Sequence, residues 1–128
     1  MGVRGIRGAT VVPENTREAI LDASKELLQE IVEANGVEIS EVACIFFTTT
    51  PDLDAAFPAA AARQLGWKRL ALLCSHEMNV PDSVSRCLRV LVLFNTEKKN
   101  EEIVHVYLRG TDGLKSEADE PWMDEDKT

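Results

Sequence analysis

Arg89 stands inside Cys87-Leu88-Arg89-Val90-Leu91-Val92-Leu93-Phe94, a run that is apolar at almost every other position. A guanidinium keeps its proton, and taking one out of water without an anion costs several kcal/mol or more. Either a fixed carboxylate of the protein or an anionic ligand must therefore meet it. Arg7 lies between Gly5 and Ala9, whose minimal side chains leave open sheet around a second cation. Arg63, Tyr107 and Lys115 add two further cations and a phenol on separate segments. Singly, each reads as a solvated surface group. Together they suggest a site for a small, multiply anionic organic molecule held by bidentate guanidinium contacts.

Other chemistries are poorly supplied. Cys74-Ser75-His76-Glu77 places a thiol and an imidazole on one strand face, but no third group to orient them is evident, and Glu77 reads equally as a solvated carboxylate. His76 and His105 are 29 positions apart without a ligand-spaced partner, and there is no P-loop or dinucleotide-type glycine turn. Three cysteines (Cys44, Cys74, Cys87), odd in number and without a Cys-x-x-Cys pair, argue against a disulfide framework or zinc site and for a reducing cytoplasm. The formal charge is −8, of which residues 116–128 carry −5, and no basic stripe offers a nucleic-acid surface. No apolar run approaches the roughly 18–20 residues of a membrane span. The start, Met1-Gly2-Val3-Arg4, leads straight into strand-like sequence and predicts no leader.

The elements that must position these residues follow from periodicity. With 128 residues the chain predicts one domain, residues 1–115, followed by an acidic, mobile tail at 116–128. Loose alternation over 2–12 predicts a first strand. Asn15 with Glu18 has capping-box spacing, and Ile20, Leu21, Ala23, Leu27, Leu28, Ile31 and Val32 repeat at helical spacing up to the Asn35-Gly36 stop. Residues 42–49 and 87–94 read as strands buried on both faces, and 70–74 as a third apolar strand. Pro58 opens a short helix through Leu65, with Gly66 as its cap. Residues 78–85 form a loop, and 102–109 alternate as a final strand. The order β-α-β-α-β-β-β predicts an α+β domain with a mixed sheet under one long and one short helix. A single long helix covers one sheet face only, so the second predicts a closed homo-oligomer.

Five separated blocks then resemble a known family. Arg4-Gly5-Ile6-Arg7-Gly8-Ala9-Thr10, Thr50-Pro51-Asp52-Leu53 with Ala56-Phe57-Pro58-Ala59, Cys74 with Glu77-Met78, Cys87-x-Arg89-Val90, and His105-Val106-Tyr107-Leu108 are similar, in order and spacing, to the AroH class of chorismate mutases. The resemblance spans roughly residues 3–109. It implies a homotrimer of pseudo-barrel shape with sites in the clefts between subunits. It also implies the conversion of chorismate to prephenate, a [3,3]-sigmatropic rearrangement on the route to phenylalanine and tyrosine. No cofactor, metal, membrane or nucleic acid is implied.

By the same resemblance, Arg89 would hydrogen-bond the ether oxygen of the breaking bond, Glu77 would accept from the ring hydroxyl, and the Cys74 region would complete that end. Arg7 and Tyr107 would hold the side-chain carboxylate, while Phe57 and Leu114 would supply apolar walls. Leu73 and Ala59 would also contact substrate, and Arg63 and Lys115 would face the ring carboxylate at the cleft mouth. Two departures stand out. Ala60 replaces a frequent lysine, and Leu114-Lys115-Ser116-Glu117 replaces the usual Leu-Arg-Pro-Asp, giving a point charge where the family has a guanidinium fork. Two other readings remain: a non-catalytic trimeric sensor of an aromatic-pathway carboxylate, and an imine-hydrolysing trimer with interfacial sites.

Overall fold

The computed structural model describes residues 1–114. Strand β1 (Gly2–Val11) leads into helix α1 (Arg17–Asn35), a single 3-10 turn (Ile39–Glu41) and strand β2 (Val42–Thr49). Helix α2 (Ala60–Gln64), strand β3 (Ala71–His76), strand β4 (Cys87–Thr96), a second 3-10 turn (Asn100–Glu102) and strand β5 (Val106–Tyr107) follow. The strands form one mixed sheet in the order β3-β2-β4-β1-β5. β4 runs antiparallel to β1 and β2, while β2–β3 and β1–β5 are parallel. The fold is α+β, as the element order predicts.

α1 forms where the sequence places its apolar stripe: Ile20, Leu21, Leu27, Leu28 and Ile31 are buried against the sheet. Gly36, at φ +59°, ends the helix in the left-handed conformation that glycine adopts without a Cβ penalty. The predicted Asn15 cap is corrected by one residue. Ala19 N–H donates to Thr16 Oγ1 at 3.1 Å. Asn15 is engaged elsewhere: its Oδ1 accepts from the backbone N–H of Asp54 and Ala55, and its Nδ2 donates to Asp54 Oδ1 at 2.7 Å.

Two further expectations are corrected. The final strand spans two residues rather than eight, because both backbone groups of Val104 are taken by the Asn35 side chain and a 3-10 turn fills 100–102. In the single chain the central strands are buried on one face only. On β2, Ile45 and Phe47 face α1 and are 1 % exposed, whereas Phe46, pointing the other way, is 38 % exposed. β4 repeats this, with Leu88, Val90, Val92 and Phe94 buried and Arg89, Leu91 and Leu93 half-open. The helices lie on one side, and the opposite side is an apolar surface with two arginines set into it.

Helix and sheet approach most closely at Gly8. A Cβ there would stand 2.7 Å from Ile31 Cδ1, 3.1 Å from Leu27 Cδ1 and 3.2 Å from Val90 Cγ2. Such contacts are closer than packed carbon atoms tolerate, so the absence of a side chain at this position sets the helix–sheet spacing beneath Arg7.

Candidate active site

Register builds the site. Thr48 pairs with Arg89, Arg89 with Ala9, and Ala9 with Tyr107, so one row crosses β2, β4, β1 and β5 on the open side of the sheet. The next row on the same side holds Leu73, Phe46, Leu91 and Arg7 across β3, β2, β4 and β1. Ala9 beside Arg89, and Gly5 near Leu91 and Leu93, supply the open sheet that the sequence suggested. Above these rows lies a cavity of about 290 Å³, lined by Arg7, Thr48, Glu77, Arg89, Tyr107 and Leu114, with Phe46 and Leu91 as apolar wall. The volume is at the lower end for small-molecule sites, which begin near roughly 300 Å³.

The anion that meets Arg89 inside the chain is Glu77. Its Oε2 lies 3.6 Å from Arg89 Nε, an ion pair too long for a hydrogen bond, with both side chains partly solvated. Such a pair adds at most about 1 kcal/mol of stability, so it does not account for an arginine in this strand by itself. Glu77 is held more firmly from the other side, where Thr48 Oγ1–H donates to Oε2 and its own N–H donates to Thr49 C=O at 2.8 Å. Among the described residues the cavity sets two guanidinium groups against one carboxylate, a surplus of positive charge that suits a dianion. Sequence reasoning missed Thr48. Its signal was a hydroxyl in an apolar strand one step from the β2 end, but only the register shows that it meets Arg89 and Glu77.

The beginning of β4 is fixed by a small polar knot. Arg86 N–H donates to Asp52 Oδ2 at 2.9 Å, Thr50 Oγ1–H donates to Asp52 Oδ1, and Cys87 N–H donates to Thr50 Oγ1 at 2.9 Å. Burial acts upward on the Asp52 carboxyl, but the Thr50 hydroxyl, the Arg86 amide and the Arg86 charge outweigh it and hold it below its ordinary value. Arg86 adopts φ +46°, and its Nε donates to Val12 C=O at 3.0 Å. Ends tied in this way leave little freedom to the backbone that carries Arg89 three residues on. A second cavity, of about 410 Å³, lies under the Met78–Val84 loop and shares Glu77, Arg89 and Leu114 with the first.

The remaining predicted residues lie elsewhere. Leu73, 58 % exposed, is at the far end of Arg7's row. Three strand spacings separate the two, about 14 Å at roughly 4.8 Å each. Cys74 faces the opposite side of the sheet, in register with Phe47 and packed against the core. Burial pushes its thiol up, while an Ala59 backbone group and the Arg63 charge pull weakly the other way. Ala59 is buried, Arg63 is exposed and Phe57 is 73 % exposed, all around α2 and the loop before it. Lys115 and the tail at 116–128 lie outside the described residues. The predicted set thus divides into Arg7, Glu77, Arg89, Tyr107 and Leu114 around one cavity, and Phe57, Ala59, Arg63, Leu73 and Cys74 near the β3 edge.

A protonated, core-packed thiol is a poor nucleophile at neutral pH. Cys74→Ala is expected to keep steady-state turnover within about tenfold of the parent, the scale of one neutral hydrogen bond. Complete inactivation with an unchanged circular-dichroism spectrum would return the thiol to consideration as a nucleophile.

Comparison with known proteins gives one answer at three levels. The family model for chorismate mutase type I matches residues 3–118. The chain is 52 % identical to the chorismate mutase AroH of Thermus thermophilus over 108 residues, covering 84 % of this chain and 88 % of that protein. It is 42 % identical over 109 residues to the chorismate mutase AroH of Bacillus subtilis strain 168, covering 84 % and 86 % respectively. Among solved structures, a chorismate mutase from Clostridium thermocellum superposes with a TM-score of 0.85 at 48 % identity, over 87 % of this chain and 99 % of that one. A match along nearly the whole chain, across the strands that bring Arg7, Glu77, Arg89 and Tyr107 together, makes this chain a member of the type I, AroH-like chorismate mutase family.

Proposed function

We propose that the chain is a chorismate mutase, an isomerase converting chorismate to prephenate by a [3,3]-sigmatropic rearrangement in aromatic amino acid biosynthesis. The observation that carries this reading is the Thr48–Arg89–Ala9–Tyr107 row, with Arg7 and Glu77 beside it on one cavity. The substrate is a dicarboxylate with an ether oxygen and a ring hydroxyl. As its C–O bond opens ahead of C–C closure, negative charge grows on the ether oxygen and positive character on the ring. A guanidinium fixed at Arg89 before the reaction stabilises that oxygen more in the transition state than in the ground state. Glu77, oriented by Thr48, accepts from the ring hydroxyl and lies toward the developing positive charge. Arg7 and Tyr107 take the side-chain carboxylate and hold the compact conformation in which the reacting carbons approach.

The second group of residues enters from another copy of the chain. None of Phe57, Arg63, Leu73 and Cys74 lines the Arg89 cavity of its own chain, so a homotrimer would set the β3 edge of one subunit against the Arg89 cavity of the next. The exposed apolar face, with Phe46 and Leu73 open and Leu91 and Leu93 half-open, supports such an association. Three free cysteines suit a cytoplasmic enzyme, and no helix of the described residues is long and apolar enough to cross a membrane.

Incubation with chorismate is expected to remove its ultraviolet absorbance while prephenate appears, at a rate unchanged by exhaustive dialysis against a chelator. Chorismate that binds and is not consumed would overturn the reading. Sedimentation equilibrium should give three chains per particle, and a clean monomer at micromolar concentration would refute the interfacial site.

A further inference from the structure

The N-terminal end of β5 departs from an ordinary parallel ladder. Gly8 pairs with Val106 and Ala9 with Tyr107, and Leu108 N–H donates to Ala9 C=O at 2.9 Å. In that pattern each β1 residue facing β5 donates to the carbonyl one position before its partner. One repeat earlier, Arg7 N–H would be aimed at Val104 C=O. That carbonyl is occupied: Asn35 Nδ2, on a side chain only 2 % exposed, donates to it at 2.9 Å, and Val104 N–H donates back to Asn35 Oδ1 at 2.8 Å. Arg7 N–H donates instead to His105 Nδ1 at 2.9 Å.

We propose that His105 is a positioning residue for the reaction assigned above, a side-chain substitute for the ladder carbonyl that Asn35 has drawn away. Its ring ties the Arg7 backbone to the segment that carries Tyr107 two residues later, so this hydrogen bond extends the short β1–β5 ladder to the two side chains assigned to one substrate carboxylate. Nδ1 accepts only without a proton, which fixes the ring as the Nε2–H tautomer. Asparagine places an oxygen where Nδ1 stands and leucine places none.

The inference rests on the mutase reading, and its test separates the two. In the full-length assembled protein, His105→Leu is expected to raise KM for chorismate about tenfold, with a smaller change in kcat, because the carboxylate clamp loses its register. His105→Asn is expected to restore KM to within about threefold of the parent, as an acceptor of similar reach re-forms the bond. A folded leucine variant with parental KM, or an asparagine variant no better than leucine, would overturn the proposal. A readout independent of activity is 15N NMR of the parent protein, in which His105 Nδ1 should resonate as an unprotonated nitrogen coupled through the hydrogen bond to the Arg7 amide. A protonated Nδ1 would overturn the proposal even if His105→Leu fails to fold. A parent protein inert toward chorismate would overturn the reaction assignment and leave the NMR result standing.

Discussion

Arg89→Gln is expected to lower chorismate turnover by about 10²- to 10³-fold, the range found when a single preorganised oxyanion donor is removed. Two features of the site make the effect large. The guanidinium stands in register between Thr48 and Ala9, neither of which carries a positive charge that could move into its place. Arg7, the other cation lining the cavity among the described residues, lies one row away, where the proposed mechanism commits it to the carboxylate. Glutamine keeps the length of the stem and a hydrogen-bond donor but no charge, so the loss should fall on kcat more than on KM. The fold should be indifferent, since Arg89 and Glu77 form a partly solvated pair worth at most about 1 kcal/mol. Arg89→Lys should fall between the two, a point charge replacing a planar fork. A loss smaller than tenfold for the glutamine variant would contradict the role assigned to Arg89.

The second large effect concerns stability and contrasts two adjacent phenylalanines. Phe47→Ala is expected to destabilise the chain by about 3–5 kcal/mol, the usual cost of removing a buried phenyl ring that its neighbours cannot refill. Phe47 is 1 % exposed and packs on the α1 side of β2. Phe46 points to the other side and is 38 % exposed in the single chain. Phe46→Asp should therefore leave the chain folded while weakening association, moving the sedimentation profile from the proposed trimer toward monomer. Urea denaturation and sedimentation on the same two variants check both halves. An associated, fully stable Phe46→Asp protein would remove this sheet face from the proposed interface.

Much of the fold is legible in the sequence, and what is not has physical causes. α1 was legible because its period is local: one apolar stripe and one glycine stop define it. β2 matched to the residue for a similar reason, a β-rich run between turn signals. The cap missed by one position because Asn15 and Thr16 are both good caps, and the choice was made by a loop 39 residues away that claims Asn15. The last strand was overestimated because its alternation is real, while the partner that stops the ladder, Asn35, sits on another element. At the site, Arg7 and Arg89 announced themselves as cations in apolar strands. Thr48 did not, and the side of the sheet on which Cys74 lies was not fixed by alternation alone, because both are matters of register between distant strands.

Gly8 also bears on how this protein can change. The ligand pocket has a soft wall and a hard floor. Its outer lining at Phe46 and Leu91 is bounded by solvent or by another subunit, so altered side chains there have somewhere to go. Its floor passes through Gly8 directly to Ile31 and Leu27, where a methyl group could enter only by displacing side-chain ends packed in the core. Selection for bulkier ligands should therefore collect substitutions along the outer lining and leave the residue next to Arg7 untouched.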